Sequence, residues 1–482
     1  MLTLLLLLFP LVASLVVLAS GNKLAAKLAL LFAVVELGLT GYGLSVFLLS
    51  GPELFTVFQE WITDPKISLN LGLDGLSMLM VLLTNFLLPV IILTSFNRVI
   101  DNAKAYFSLI LMMQFALLGV FMANDGLLYY IFWELALIPI YFIALNWGGP
   151  NRVPVTLKFF IYTLAGSLFM LFGFIALYHL NPGKSFNITE LYSMVISKEN
   201  QAWLFWMFFV AFAIKIPIIP FHTWQADTYK ESPTQGTMLL SGIMLKMGTY
   251  SLLRWLLPVF PEGVAMWTPL IMGLCIAGIV YASIIAIMQK DLKRVLAYSS
   301  VAHVGLISAG IFTLNITGLE GSVVQMLSHG VVVVGLFFAA DIIYHRTNTF
   351  EIDKLGGIRT AAPQFNTLFL IIVLASVGLP LTNSFIGEFL LLLGVFQYNY
   401  IAAGVGGLTI ILSAVYMFRM FQRVMLGKTN EVTVNFADLH WNEKVVLWIL
   451  VIVIIAAGIY PQPILAIAEP ALRIILDNAV LN

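Results

Sequence analysis

The stretch FVAFAIKIPIIPFHTW, residues 209–224, decides how the chain folds. It places Lys215 deep in an apolar run, two residues before Pro217 and five before Pro220. A lysine at that depth and two prolines beside it are costly in any hydrocarbon-facing helix. The rest of the sequence has to account for both.

The composition supplies the setting. Of 482 residues, 61% are hydrophobic and 10% charged, with a mean hydropathy of +0.99, where a soluble domain carries about 25% charged residues. The chain is therefore an integral membrane protein. Acidic and basic residues balance at 24 each, so no net field points to nucleic acid or to an acidic ligand. The single cysteine, Cys275, excludes an internal disulfide, a cysteine-held iron–sulfur cluster and a Cys-rich metal site. Residues 1–20 are apolar without a charged leader, the first basic residue being Lys23, and read as a retained first span.

About 20 apolar residues cross a bilayer, and fourteen such runs occur: 2–20, 26–49, 72–95, 105–123, 126–147, 155–179, 203–221, 233–257, 267–288, 293–313, 319–344, 364–395, 399–426 and 444–467. Seventeen of the 24 basic residues fall in odd-numbered connections and five, Arg254 among them, in the even-numbered connections and ends. That bias places both termini on the outer face. The remaining two basic residues, Lys215 and Lys246, lie inside spans. No credible strands and no separate soluble domain are expected. The stretches 187–199 and 469–481 are amphipathic enough to lie at the interface or to form ordinary loops with a helical turn.

Six ionisable residues land near mid-membrane: Glu134 in span 5, Lys215 in span 7, Lys246 in span 8, His303 in span 10, His329 in span 11 and Glu388 in span 12. Each can hold or release a proton, and a Lys–Glu contact that is made and broken is a proton switch. Taken singly, each histidine reads more readily as a hydrogen-bonded packing residue, and a lone lysine as a snorkelling one. Six together, all in spans 5 to 12, point to a proton route. As a zinc site the set is poor, since no two have the spacing of helical ligands. Glu36 and Asp74 read equally well as interfacial residues, and Asp341 as a structural partner of His345 or Arg346.

Spans 7 and 12 are both broken, by KIPIIP at 215–220 and by GLPLTNS at 378–384. Paired broken spans mark transport sites built on repeats. Five helices separate them, so spans 4–8 and 9–13 would form an inverted repeat with Lys215 and Glu388 in matching places. The prolines leave carbonyls unbonded beside the lysine, and such backbone is tolerated only inside protein or against water. The expected fold is an all-α polytopic membrane protein of about 14 transmembrane helices in two inverted five-helix repeats. Its divisions are 1–104, 105–257, 258–428 and 429–482.

LDGLS at 73–77, FWELALIP at 132–139, KIPIIPFHTWQADTYKESPT at 215–234, SGIMLKMGTY at 241–250, KDLKRVLAYSSVAHVG at 290–305, LSHG at 327–330 and GLPLTNSFIGEF at 378–389 carry a resemblance over nearly the whole chain. The sequence resembles the antiporter-like membrane subunits of bacterial respiratory complex I, which are related to the large subunits of multisubunit sodium/proton antiporters. Glu388 in span 12, where L- and N-type subunits are expected to carry lysine, resembles the M-type branch, as does a chain stopping after span 14 without the L-type lateral helix. The resemblance implies that Glu134 partners Lys215 as the central switch. It implies that Lys246, His303 and His329 form the polar axis, and that Glu388 is the terminal donor. It also implies NADH, flavin (FMN), iron–sulfur clusters and quinone in partner subunits and none in this chain, L- and N-type neighbours, and a bacterial inner membrane. Subunits of cation/proton antiporters and of membrane-bound hydrogenases share much of the pattern and stand as alternatives.

Overall fold

The computed structural model describes residues 1–63 and 65–480. Two apolar helices, α1 (Leu2–Ala19) and α2 (Asn22–Ser50), lead into a hairpin of β1 (Val57–Ile62) and β2 (Ile67–Leu71). The strands are antiparallel, with Val57 opposite Leu71 and Gln59 opposite Leu69. This corrects the expectation that the chain has no strands. The segment is rich in β-branched and aromatic residues, but it is short and lies in a connection between apolar runs, where helical periodicity carries no information.

Next come α3 (Gly75–Leu93), α4 (Ala103–Met122), α5 (Gly126–Leu135), α6 (Leu137–Trp147) and α7 (Arg152–Leu180). Asp74 and Asp125 start α3 and α5 by accepting from backbone N–H groups of the first turn. α5 and α6 form one span interrupted at Ala136. Pro139 has no N–H to give the Leu135 carbonyl, which is reason enough for the break. A short α8 (Ile188–Ser193) precedes α9 (Lys198–Lys215). Pro217 and Pro220 cannot continue α9, and helix resumes only at α10 (Gln225–Glu231).

The eighth predicted span is not one regular helix. It runs as α11 (Thr234–Leu239), α12 (Leu245–Ser251) and α13 (Leu257–Val259), joined by π-helical turns at Leu240–Met244 and Leu252–Leu256. Pro258 leaves the Arg254 carbonyl without its helical donor, and the Tyr192 hydroxyl donates to it at 2.5 Å. The chain continues through α14 (Pro261–Met288), α15 (Leu292–Ile311), α16 (Ile316–Thr347), α17 (Ile358–Ala361) and α18 (Pro363–Ser376). Then follow α19 (Asn383–Tyr398), α20 (Tyr400–Gly406), α21 (Leu408–Met425), α22 (Trp441–Ile459) and α23 (Gln462–Ala479). The gap between α18 and α19 is the second expected break. Gly378 there has φ +71°, a left-handed conformation that favours glycine.

Among the described residues, eleven helices are long and apolar enough to cross a membrane. They correspond to predicted spans 1–6, 9–11, 13 and 14. Predicted spans 7, 8 and 12 have no counterpart among these eleven helices. The protein is thus an all-helical membrane protein apart from its hairpin. Of the two stretches read as amphipathic, 187–199 contains α8, and 469–480 lies in α23 and its end; Leu481 lies outside the described residues.

The chain forms two compact units. Unit 1 is built from Met1–Ile216, Ile243–Pro269 and the C-terminal stretch from Ala466, and unit 2 from Pro217–Gly242 and Leu270–Leu465. In unit 1 an aromatic core joins α5, α7, α9 and the 252–256 turn. Trp133 packs on Tyr129 and Phe212, and Phe174 on Tyr129, Phe208 and Trp255. Unit 2 is centred on α16, which is buried along almost its whole apolar length. Glycines let α19 approach it closely: a Cβ at Gly321 would meet Leu390, and one at Gly387 would meet Gln325.

Candidate functional site

Three of the six sequence-predicted residues, Glu134, Lys215 and Lys246, belong to unit 1, and His303, His329 and Glu388 to unit 2. In unit 1, Lys215 is the last residue of α9 and is 2% exposed. Its ammonium makes no hydrogen bond or ion pair among the described residues. Instead it lies 5.1 Å from the centre of the Trp133 ring. A ring face at that distance attracts a cation, by about 2 kcal/mol or more in a desolvated site. Trp133 was not singled out in the sequence, and the structure places it against Lys215.

Glu134, the next residue on α5, is half-buried. Its carboxyl is held by the side chains of Ser167 on α7 and Tyr130 on α5, and one oxygen is buried without a partner. The expected Glu134–Lys215 contact is therefore open in this structure. Both residues adjoin a helix interruption, Glu134 that at Ala136 and Lys215 that at Pro217.

Lys246 is completely buried. It lies in the single α-helical stretch between the two π-helical turns, and π turns recur at functional positions. Two residues on, Gly248 lets this helix touch the end of α9. A Cβ there would meet the Ile216 side chain and lie 3.2 Å from the Phe212 carbonyl oxygen. The glycine thus sets the helix carrying Lys246 against the helix end carrying Lys215.

In unit 2, His303 of α15, His329 of α16 and Glu388 of α19 are 5%, 6% and 2% exposed. His303 Nδ1 lies 3.2 Å from Glu388 Oε1, within ion-pair distance. The ring is off-line for a hydrogen bond, and both its nitrogens lack one. Gln325 Nε2 donates to the same carboxylate oxygen at 3.5 Å. The two imidazole rings are 6.2 Å apart, centre to centre. A cavity of about 20 Å³ borders both histidines, with Ser299, Ser300, Gln325 and Ser384 in its wall. A void of that size with polar walls has room for one water.

Lys215 and Glu388 do not occupy equivalent places about their breaks. Lys215 ends the half-helix before the break, whereas Glu388 is in the half-helix after it and folds back over Gly378. Three other residues singled out in the sequence, Glu36, Asp74 and Asp341, have side-chain partners. Glu36 is buried in α2 and accepts from Asn85 at 3.3 Å. Asp74 pairs with Arg254 at 2.6 Å. Asp341 accepts from Thr234 at 2.6 Å and lies 3.5 Å from His345, while Arg346 pairs with Glu443. Arg254 and Lys293, counted as loop charges, are instead 8% and 3% exposed within helical segments.

The set consists of buried or half-buried bases and acids, four of them on broken or π-distorted helices and two, His303 and His329, on continuous ones. Residues 123–413 match the family model described as "NADH:quinone oxidoreductase/Mrp antiporter, TM". The chain is 40% identical over 452 residues to NADH-quinone oxidoreductase subunit M of Rickettsia typhi, covering 92% of this chain and 91% of that one. It superposes on a chain of Thermus thermophilus respiratory complex I with a TM-score of 0.91 at 29% identity, over 99% of this chain and 100% of that one. A chain of the Mrp complex of a Dietzia species shares the fold alone, with a TM-score of 0.85 at 20% identity over 99% of both chains. An unpaired lysine at a proline break, a buried glutamate where a second break ends, and this degree of identity along the chain lead to one assignment: the protein belongs to the NADH-quinone oxidoreductase subunit M family of antiporter-like complex I membrane subunits.

Proposed function

We propose that this chain moves protons across the membrane as the M-type membrane-arm subunit of NADH-quinone oxidoreductase, driven by electron transfer in other subunits. The observation that carries the reading is Lys215: buried inside the protein, at a helix break, and without a hydrogen bond or ion pair among the described residues. A buried lysine with no directly bonded partner is expensive to maintain for structure alone. A site whose function is to gain and lose a proton needs that lack of a fixed partner.

In this reading Glu134 and Lys215 act as the switch, Lys246, His303 and His329 as intermediate proton holders, and Glu388 as terminal donor. Spans 7, 8 and 12 complete a set of fourteen, with residues 105–257 and 258–428 as two inverted five-helix repeats. The regions 1–104 and 429–482 flank them, and both termini face outward from a bacterial inner membrane. The neighbours are the L- and N-type subunits, and NADH, FMN, iron–sulfur clusters and quinone are bound elsewhere in the complex. The excess of basic residues in odd-numbered connections supports the orientation.

The test is Lys215→Ala in the assembled complex. We expect proton pumping to be largely lost while the complex still forms. Pumping at the parental proton-to-electron ratio would remove the switch assignment. Purification with flavin, iron–sulfur signals and NADH-dependent quinone reduction separates this reading from a cation/proton antiporter, which would purify without them.

A further inference from the structure

From Lys246 the same helical segment runs on through Tyr250 and Arg254, at four-residue intervals, towards a pocket at the protein surface. Tyr250 follows one turn later and Arg254 lies in the π turn after it, both buried in unit 1. About 12 Å of helix separates Lys246 from Arg254. The Tyr250 hydroxyl shares a hydrogen bond with Ser77 Oγ at 3.0 Å, lies 3.0 Å from the Phe121 carbonyl oxygen, and accepts from Arg254 Nε at 3.1 Å. Arg254 Nη2 donates to Ser77 Oγ at 2.9 Å and pairs with Asp74 Oδ2 at 2.6 Å. Asp74 is itself fixed, accepting from the Ser77 backbone N–H at 2.9 Å. Beyond the ion pair a pocket of about 180 Å³ opens between Glu53, Thr56, Asn124 and the two charged residues.

The chemistry along this segment changes in a telling order. Tyrosine and serine hydroxyls both donate and accept, so a proton can pass along them. A guanidinium only donates, does not give up its proton in proteins, and repels an approaching cation. The one group of that kind stands where the hydroxyl pair meets the pocket, anchored on both sides by its bonds to Asp74 and Tyr250.

We propose that the Arg254–Asp74 pair is a charge seal, which closes the hydroxyl path between Lys246 and the surface pocket to protons. The seal keeps a proton held at Lys246 from escaping through this end of the unit. The inference rests on the reading of Lys246 as a proton holder. It assigns Arg254 and Asp74 a positioning and barrier role, distinct from the residues that carry the transported proton.

The test measures passive leak and uses no electron donor. The whole complex is reconstituted in liposomes, a potassium diffusion potential is applied, and internal pH is followed with a trapped dye. Arg254→Gln is expected to admit protons several-fold faster than the parent, and Arg254→Lys, which keeps the charge, to stay tight. Adding Lys246→Ala to Arg254→Gln is expected to return the leak to the parental rate. An assembled Arg254→Gln complex as tight as the parent would overturn the seal, as would a leak that survives loss of Lys246. A structural staple alone would lower assembly in the Arg254→Lys and Arg254→Gln variants without opening a leak. Should Arg254→Gln alone fail to assemble, Arg254→Gln combined with Asp74→Asn removes the positive charge without leaving a buried carboxylate unpaired, and a tight double-variant complex refutes the proposal. Pumping by Lys246→Ala alone, measured with NADH, tests the proton-holder reading separately.

Discussion

The Lys215 ammonium lies 5.1 Å from the centre of the Trp133 ring. The ring is itself wedged between Tyr129 and Phe212, so it cannot swing aside to follow the lysine. Replacing it with Leu removes about 2 kcal/mol of support for the charged side chain while keeping an apolar residue of moderate size. Trp133→Leu is therefore expected to lower the proton-to-electron ratio with NADH oxidation retained, and Trp133→Phe to keep most of it. Equal ratios in parent and Trp133→Leu, measured by dye quenching in vesicles, would show that the ring serves packing alone.

Glu388 meets His303 at 3.2 Å and accepts from Gln325. Glu388→Gln keeps the volume and removes the charge, so the amide can still pack against both neighbours but cannot accept a proton in the working range. The complex should assemble to parental levels and lose most of its pumping. Gln325→Leu removes a long hydrogen bond only, and a loss of twofold or less is expected for a bond worth about 0.5 kcal/mol. If Gln325→Leu were the more damaging of the two, the transfer role would pass from the carboxylate to the amide.

The charged positions stood out because a lysine or glutamate deep in an apolar run is costly there. Lys215, Lys246 and Glu388 are all 2% exposed or less, as their depth in the sequence implied. Their settings were not legible. Trp133 is one aromatic among many in apolar helices, and nothing in its own span marks the lysine 82 positions later as its partner. Arg254 lies near the end of its span and so resembles a loop charge; its partner Asp74 is distant in sequence and joined to it only by folding. No periodicity in the sequence announces the π-helical turns on either side of Lys246. The prolines showed where span 7 breaks but not on which side of a break the functional residue falls, which is how Lys215 and Glu388 came to be expected in matching places.

Gly248 sets how closely the helix of Lys246 meets the end of α9. An added Cβ would press on the Ile216 side chain and lie 3.2 Å from the Phe212 carbonyl oxygen. Side chains can yield, but the carbonyl belongs to the last turn before the break. Gly248→Ala is expected to cost about 1–3 kcal/mol through overpacking, and to impair pumping more than assembly because the displaced elements carry both lysines. The check is the ratio of pumping to the amount of assembled complex. A proportional fall in both would assign Gly248 to stability only.

Arg346 and Glu443 tie the end of α16 to the start of α22 in unit 2. The guanidinium donates to both carboxylate oxygens, at 3.1 and 2.6 Å, and the two side chains are 9% and 2% exposed. The same carboxylate also accepts from the His440 backbone N–H at 2.9 Å, completing a capping box. Removing one partner of such a pair leaves a buried charge uncompensated, at a cost of about 3–5 kcal/mol. Glu443→Ala should therefore deplete the assembled complex and lower its thermal unfolding temperature. Replacing the pair together, Arg346→Met with Glu443→Leu, should recover part of that loss, since well-packed apolar residues can substitute for a buried ion pair. The two variants are compared by the yield of intact complex and by its melting temperature. A double variant no better than Glu443→Ala would mean that the arginine's bonds to the 437 and 438 carbonyls, rather than its charge pairing, hold this end of the unit together.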